Sequence, residues 1–433
     1  MPKTFMPCFR TREELSGHQL KGLQWTLFHA YKGSFFYKKH LDEAGASPDD
    51  IKSLDDINHL PFTAADDLRK GYPLPFLSVP DSDVVRIHAS SGTTGKKKIL
   101  AYTQKDIDDW TCLFARAYEM AGLTEKDRVQ IAVGYGMWTA GAGFQLGCEK
   151  LGAMAIPIGP GNIDIQCQFL VDMHSSVLCC TASMGLLMAE EVNRRNLRNK
   201  IALKKIIAGA ERSGEAMRKR IKELLGIEEI FDITGMTELY GPGAGIDCAK
   251  HEGIHYWADN YILEIIDPET LKPVRPGEIG EMVVTTLCKE AAPLIRYRTG
   301  DLTRLIEKPC SCGNLLPMHD KISGRSDDMI IFRAVNIYPG QIDEALSSVP
   351  GTGSEYQVIL DRRDDGKEYM TVRVECADSK AEYNKSELEK WIAAEIKNQV
   401  MVSCKAEVVD YRSLPRSEKK SKRIFDNRQE RAD

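Results

Sequence analysis

Apolar residues follow two rhythms along this chain. Between about residues 125 and 240, short, largely apolar runs at 129–133, 153–157, 177–180 and 205–208 alternate with amphipathic stretches such as 105–121 and 183–197. A strand covered on both faces needs four or five apolar residues without a polar side, and the stretches between supply the covering helices. The alternation predicts an α/β fold with a parallel sheet. Residues 11–60 read as helical, with Leu15, Leu20, Leu23 and Leu27 at loosely helical intervals. Around 260–305 the rhythm changes: the runs 261–266 and 281–286, beside the turns Asp267-Pro268 and Pro276-Gly277, predict an antiparallel β subdomain. Strands near 369–376, a helix near 385–397 and a basic tail predict a small α+β second domain. Its boundary is placed at 326/327, giving domains 1–326 and 327–433.

The 433 residues exceed one ordinary core, which agrees with two domains. A net charge of −5 argues against a nucleic-acid partner, whose electrostatic footprint is basic. No stretch approaches the roughly 18 apolar residues that span a bilayer, and the first ten residues lack a secretion signal's apolar run. The expectation is a cytoplasmic protein without a membrane partner. Its twelve cysteines then read as reduced thiols, with Cys179-Cys180 buried in a strand.

The stretch Ser90-Ser91-Gly92-Thr93-Thr94-Gly95 carries the clearest chemistry, with Lys96, Lys97 and Lys98 directly behind it. Small hydroxylated and glycine residues expose many N–H and O–H donors with little bulk, as a polyphosphate requires. Only two residues separate the glycines, so this is not a Walker A loop. Strand-like runs at 84–88 and 99–103 flank it, which predicts a phosphate-gripping hairpin loop. Further clusters follow: Gly209-Ala210-Glu211 after a buried strand, Asp232-Ile233-Thr234-Gly235-Met236-Thr237-Glu238 ending another in a glycine turn, Tyr297-Arg298-Thr299-Gly300-Asp301, and Gly324-Arg325-Ser326-Asp327-Asp328. Ligands of α/β sheets bind beyond the carboxyl ends of strands, where the first two clusters fall. Cys248, His251 and His255, with Cys310-Ser311-Cys312, have the ligand types of a closed tetrahedral zinc; either histidine could supply the nitrogen.

In this order the clusters resemble the acyl-adenylate-forming superfamily, and within it the phenylacetate-CoA ligases. The resemblance rests on residues 209–218, 296–303, 324–339 and Leu414-Pro415-Arg416-Ser417-Glu418-Lys419-Lys420, and spans about 85 to 425. It implies a large N-terminal domain holding ATP and acid, and a small mobile C-terminal domain. Residues Ser90 to Gly95 would hold the β- and γ-phosphates, Thr237 the α-phosphate and Glu238 Mg²⁺. Gly209, Ala210, Glu211, Asp232, Ile233 and Thr234 would surround adenine, while Asp301 and Arg325 would take the ribose. Tyr135, Gly136, Gly235, Met236, Pro242 and Gly243 are the acyl-pocket candidates. Lys420, with Lys419 as an adjacent rival, would be the catalytic lysine, and Asp327 the hinge. Some relatives carry a Cys…His plus Cys-x-Cys set, which favours Cys248, His255, Cys310 and Cys312 as a structural zinc site. Homodimers are common among the relatives.

The activity so implied is ATP-dependent conversion of an aromatic or arylacetic acid, through an acyl-adenylate, to its CoA thioester. ATP, Mg²⁺ and coenzyme A are the cofactors and a small carboxylic acid the partner. An adenylyltransferase on the same fold that does not use CoA, as in deazaflavin-cofactor modification, stays open, as does a non-catalytic nucleotide-binding protein. Two departures stand out: Ala334 where the family has glycine beside the thiol channel, and Thr234 where many relatives place an aromatic residue against adenine.

Overall fold

The computed structural model describes residues 4–90, 97–137, 139–211, 213–326, 330–333, 335–362, 367–377, 384–416 and 422–428. The expectations placed on Ser91 to Lys96, Asp327, Ala334, Lys419 and Lys420 therefore lie outside the described residues.

A nine-stranded sheet organises the larger part of the chain. Strands Met154–Ile156, Arg128–Ile131, Val177–Thr181, Lys205–Gly209 and Glu229–Met236 run parallel in that order. Gly241–Asp247, Ile254–Tyr256, Met318–His319 and Leu305–Ile306 extend it antiparallel. The central strand Val177–Thr181 shows why its sequence lacks a polar face. Val177 and Cys179 point into the core that holds Trp110, Phe114 and Tyr118. Leu178 and Cys180 point into the opposite core with Met184, Met188 and Val192. Successive side chains leave a strand on opposite faces, so burial on both sides demands an unbroken apolar run.

Helix Gln104–Met120 starts where Thr103 caps it, Thr103 and Asp106 exchanging hydrogen bonds as a capping box. Asp106 also accepts the backbone N–H groups of Glu290 and Ala291, at 2.7 and 2.9 Å, and so fastens a distant loop to this helix start. The helical stretch expected over 11–60 is broken into Arg12–Gly33 and Phe35–Glu43, followed by short 3₁₀ turns. Ser34 breaks it: its N–H closes the first helix onto the Ala30 carbonyl while its hydroxyl caps the second. A side chain at Gly33 would run into the Ser78 carbonyl, so this close passage requires glycine.

The predicted antiparallel subdomain is the four-stranded sheet Tyr261–Ile266, Gly280–Thr286, Tyr297–Thr303 and Gly324–Arg325. A separate core gathers residues between Ile330 and Val408, around strands Thr352–Arg362 and Glu368–Cys376 and helices Pro339–Ser347 and Lys385–Val400. We refer to it as the C-terminal unit. Among the described residues no helix is long and apolar enough to cross a membrane.

Candidate active site

The carboxyl ends of the parallel strands open onto a cavity of about 590 Å³, roofed by the C-terminal unit. Strand Lys205–Gly209 delivers Gly209, Ala210 and Glu211 to its wall. Ala210 takes a left-handed backbone at φ +70°, rare for a residue with a Cβ. Glu211 accepts the Ser183 N–H at 2.6 Å, so the loop is fastened to the start of the neighbouring helix.

The next strand, Glu229–Met236, delivers Asp232, Ile233, Thr234, Gly235 and Met236. Sequence alone ends it at a glycine turn; in the structure the strand continues through Gly235 to Met236. Gly235 sits at φ +148°, and any Cβ there would collide with the carbonyl of Gly241, so the two chains approach only because the residue is glycine. The Asp232 carboxylate meets Arg218 at 2.8 Å and Lys321 at 3.3 Å.

Thr237 and Glu238 follow, both buried. Glu238 pairs with the Lys98 ammonium, and the Tyr297 hydroxyl donates to its Oε1 at 2.9 Å. Burial alone would push the Glu238 carboxyl up, but the adjacent Lys98 and the two hydrogen bonds hold it below the usual range. It is therefore an ionised oxygen ligand facing the cavity, suited to a hard divalent cation. Behind it the fully buried Lys289 donates to the Glu238 carbonyl at 3.3 Å and lies 4.2 Å from the Tyr102 ring centre. Burial brings its ammonium down to about 8.

On the facing wall Asp301 and Arg325 are cross-strand partners, with Arg325 Nη1 2.8 Å from Asp301 Oδ1. The glycine loop has its predicted hairpin frame: Arg86–Ala89 pairs antiparallel with Ile99–Tyr102. Ser90 and Lys98 close the loop's base, Ser90 N–H to Lys98 carbonyl at 3.0 Å, and both line the cavity.

Of the acyl-pocket candidates, Gly235, Met236 and Pro242 line the cavity, whereas Tyr135, Gly136 and Gly243 are not among its lining residues. Sequence reasoning missed Thr139, whose buried Oγ1 has no partner among the described residues, and Arg423 from the C-terminal unit. It also gave no role to Tyr297 or Lys289. Tyr297 sat inside a recognised cluster and could have been found there. Lys289, in Cys288-Lys289-Glu290, carries no signal, because only the fold turns it inward.

Beside the cleft lies a second constellation. The donor atoms of Cys248, His255, Cys310 and Cys312 all lie within 4.8 Å of one another. Cys248 Sγ is 3.6 Å from Cys310 Sγ, and Cys312 Sγ is 3.5 Å from His255 Nε2. His255 Nδ1 faces the Leu316 carbonyl at 3.1 Å, which places the proton there and frees Nε2 toward the thiols. Backbone N–H groups of Lys250, Cys312 and Asn314 point at the three sulfurs, each at 3.5 Å, donors that stabilise thiolates. Three thiols and an imidazole in this spacing fit a closed tetrahedral zinc site. His251 is elsewhere, between Asp247 and Glu229 at 2.6 and 2.7 Å.

Comparison with known proteins gives the chain its relatives. The AMP-binding enzyme family matches residues 36–288, and the AMP-binding enzyme C-terminal domain matches residues 334–428. Phenylacetate-coenzyme A ligase of Escherichia coli (strain K12) is 40% identical over 422 residues, covering 96% of this chain and 95% of that protein. Among solved structures, 2-hydroxyisobutyryl-CoA ligase in the postadenylation state, in complex with R3-HIB-AMP, superposes with a TM-score of 0.88 at 25% identity, covering 98% of this chain and 94% of that one. The same enzyme with 2-HIB-AMP and CoA in the thioesterification state gives 0.70 at 26% identity, over 97% and 91%. With both sequence families matched in order and the ligase fold reproduced along nearly its whole length, the chain belongs to the phenylacetate-coenzyme A ligase family of AMP-binding enzymes.

Proposed function

We propose that this protein activates an arylacetic acid, with phenylacetate as the leading substrate, by adenylation with ATP and then transfers the acyl group to coenzyme A. One observation carries the reading. A buried carboxylate (Glu238), a carboxylate–guanidinium pair (Asp301 with Arg325) and the base of a phosphate-type loop (Ser90, Lys98) converge on one cleft between the two units. Those groups suit the metal, ribose and phosphate parts of a nucleoside triphosphate.

In the first step a substrate carboxylate oxygen attacks the α-phosphorus, the bond to the bridging oxygen breaks and pyrophosphate leaves. Ser90 and the loop up to Gly95, with Lys96 to Lys98 behind, hold the β- and γ-phosphates, and Thr237 holds the α-phosphate. Asp301 accepts the ribose hydroxyls beside Arg325, and the segments 209–211 and 232–234 enclose adenine. A Mg²⁺ held by Glu238 supplies charge neutralisation on the phosphates. Lys420 carries a compact ammonium on a flexible stem, suited to bridge the attacking carboxylate and the α-phosphate oxygens without removing a proton. Gly235, Met236 and Pro242, which line the cavity, floor the acyl site, and Tyr135 and Gly136 stand outside that lining.

In the second step the smaller domain, residues 327–433, turns about Asp327, Lys420 withdraws, and the CoA thiol attacks the acyl carbonyl as AMP departs. Excluding water protects the mixed anhydride meanwhile. A structural zinc held by Cys248, His255, Cys310 and Cys312 completes the reading. The twelve free cysteines support a reducing cytoplasmic setting, where ATP and CoA are at hand.

The test is acid-dependent AMP release with phenylacetate, indoleacetate, benzoate and aliphatic acids, each with and without CoA. The expected result is release that needs an arylacetic acid and rises several-fold with CoA. Release indifferent to CoA would favour a CoA-independent adenylyltransferase, and silence across the panel a non-catalytic nucleotide binder.

A further inference from the structure

Away from the cleft, a cluster of buried charges joins the two units. The Arg416 guanidinium lies between two carboxylates that are each 2% exposed: Glu375 of the C-terminal unit and Glu190 on helix Ala182–Arg194. Its Nη1 and Nη2 donate to Glu375 at 2.8 Å each, and its Nε and Nη2 to Glu190 at 3.2 and 3.0 Å. Glu375 also accepts the Leu414 N–H at 2.7 Å. The Tyr411 hydroxyl donates to Glu190 at 2.9 Å and accepts from Arg220 at 3.1 Å, while Arg412 reaches Glu191 at 3.3 Å. Charges this buried are tolerated only when paired in good geometry, so the cluster defines one docking position sharply.

The two carboxylates differ in what they can do. Glu375 belongs to the same unit as Arg416 and travels with it, so its bond survives any rotation of that unit. Glu190 stays behind. Only a contact made in one arrangement and lost in the other can bias an equilibrium between them. Lys420 is four residues beyond Arg416, so anchoring Arg416 confines the Lys420 backbone to within about 14 Å of it.

We propose that Glu190 is a positioning residue for adenylation: it grips Arg416 across the interface and thereby holds the C-terminal unit in the docking that the first step uses. It lets go when the C-terminal unit turns for the thiol step. Tyr411 orients the Glu190 carboxylate, and Arg412 bridges Glu190 and Glu191 at 3.5 and 3.3 Å. The inference rests on the two-step ligase reading and adds to it a clamp specific to the first step.

The experiment measures the two half-reactions separately in Glu190→Gln, Arg416→Lys and Tyr411→Phe. Acid-dependent ATP–pyrophosphate exchange reads the first, and thioester release from synthetic acyl-adenylate plus CoA reads the second. Glu190→Gln is expected to lower the exchange kcat roughly 30-fold, the scale of one buried charged hydrogen bond. Its substrate KM values and its thioester step should stay within about twofold of wild type. Tyr411→Phe, which removes one hydroxyl and keeps the ring packed, should show the same selectivity at about threefold, and Arg416→Lys should fall between. Equal losses in both half-reactions, or undiminished exchange, would overturn the proposal. Failure of the ligase reading is seen differently, as absence of both steps in the wild-type protein. Amide exchange over residues 411–416 reads the clamp without turnover: at least tenfold faster exchange in Glu190→Gln supports it, and unchanged protection refutes it.

Discussion

The nucleotide cleft and the cysteine–histidine corner are built on the same two strands, facing opposite ways. In Ile254–Tyr256, Ile254 lines the cleft and His255 joins the thiols. In the paired strand Met318–His319, His319 lines the cleft while Met318 packs with Cys248 and Cys310. Strand alternation thus puts an open polar cavity and a closed donor set one residue apart. In the corner every donor already points at another donor, which leaves no vacant position for chemistry. In the cleft the charged groups are paired at its walls and still face a space large enough for a nucleotide. A zinc held in the corner would cross-link strand Ile254–Tyr256 to the loop carrying Cys310 and Cys312, beside the cleft.

Point substitutions should therefore separate the two regions by what they lose. The largest effect is expected at Glu238. Glu238→Gln keeps the volume and the Tyr297 hydrogen bond and removes the charge that pairs with Lys98. Pyrophosphate exchange should fall by about 10³-fold, the scale of losing one preorganised electrostatic partner. The melting temperature should move by less than about 3 °C. A variant that keeps its rate but melts early would show that Glu238 is a packing residue, and the contrast with the corner would vanish.

Next comes Cys310→Ser, which should do the reverse. Zinc measured by elemental analysis of the purified protein should fall from about one per chain to near zero, and stability by about 3–4 kcal/mol, as losses of bound metal do. The folded fraction should retain kcat within about twofold. Full stability without zinc would leave the four residues as an ordinary buried cluster.

What the sequence revealed about these regions follows from how local each signal is. The parallel strands were legible because double-sided burial writes itself as a largely apolar run, unbroken at 177–180. The antiparallel subdomain was legible from its turns. The residues Asp232, Thr237, Glu238, Asp301 and Arg325 stood inside compact clusters, and the fold brings them to one cleft. The break at Ser34 was hidden, since one serine can both end a helix and begin the next without disturbing the apolar spacing. Lys289 was hidden because its burial depends on Asp106 fastening the neighbouring loop from 184 residues away. Glu190 lay unmarked in the amphipathic stretch 183–197, and Arg416 stood in the recognised segment 414–420 without a role of its own. Only the docking of two units buries them, and no pattern along one chain encodes that meeting.

Acid should sharpen the contrast with the smallest of these effects. His88, on the strand leading into the phosphate loop, is 2% exposed and packs 4.5 Å from the Tyr102 ring centre and 5.0 Å from that of Trp110. Burial, with the Lys289 and Arg86 cations nearby, brings its imidazole down to about 3 from an ordinary 6.5. A histidine depressed in the folded state binds its proton more readily when unfolded. Stability is thus intact above pH 6.5 and drains away as the pH falls toward 3. His88→Leu removes that proton site, so wild type should lose about 2–3 kcal/mol relative to the variant between pH 7 and pH 4. Denaturant melts at pH 7, 5.5 and 4 measure the difference, and parallel slopes for the two proteins would rule it out. A zinc held in the corner would also be lost in acid, because protons compete with the metal for the thiolates. That loss is common to wild type and His88→Leu and cancels in the comparison, so the remaining slope belongs to the cleft side alone.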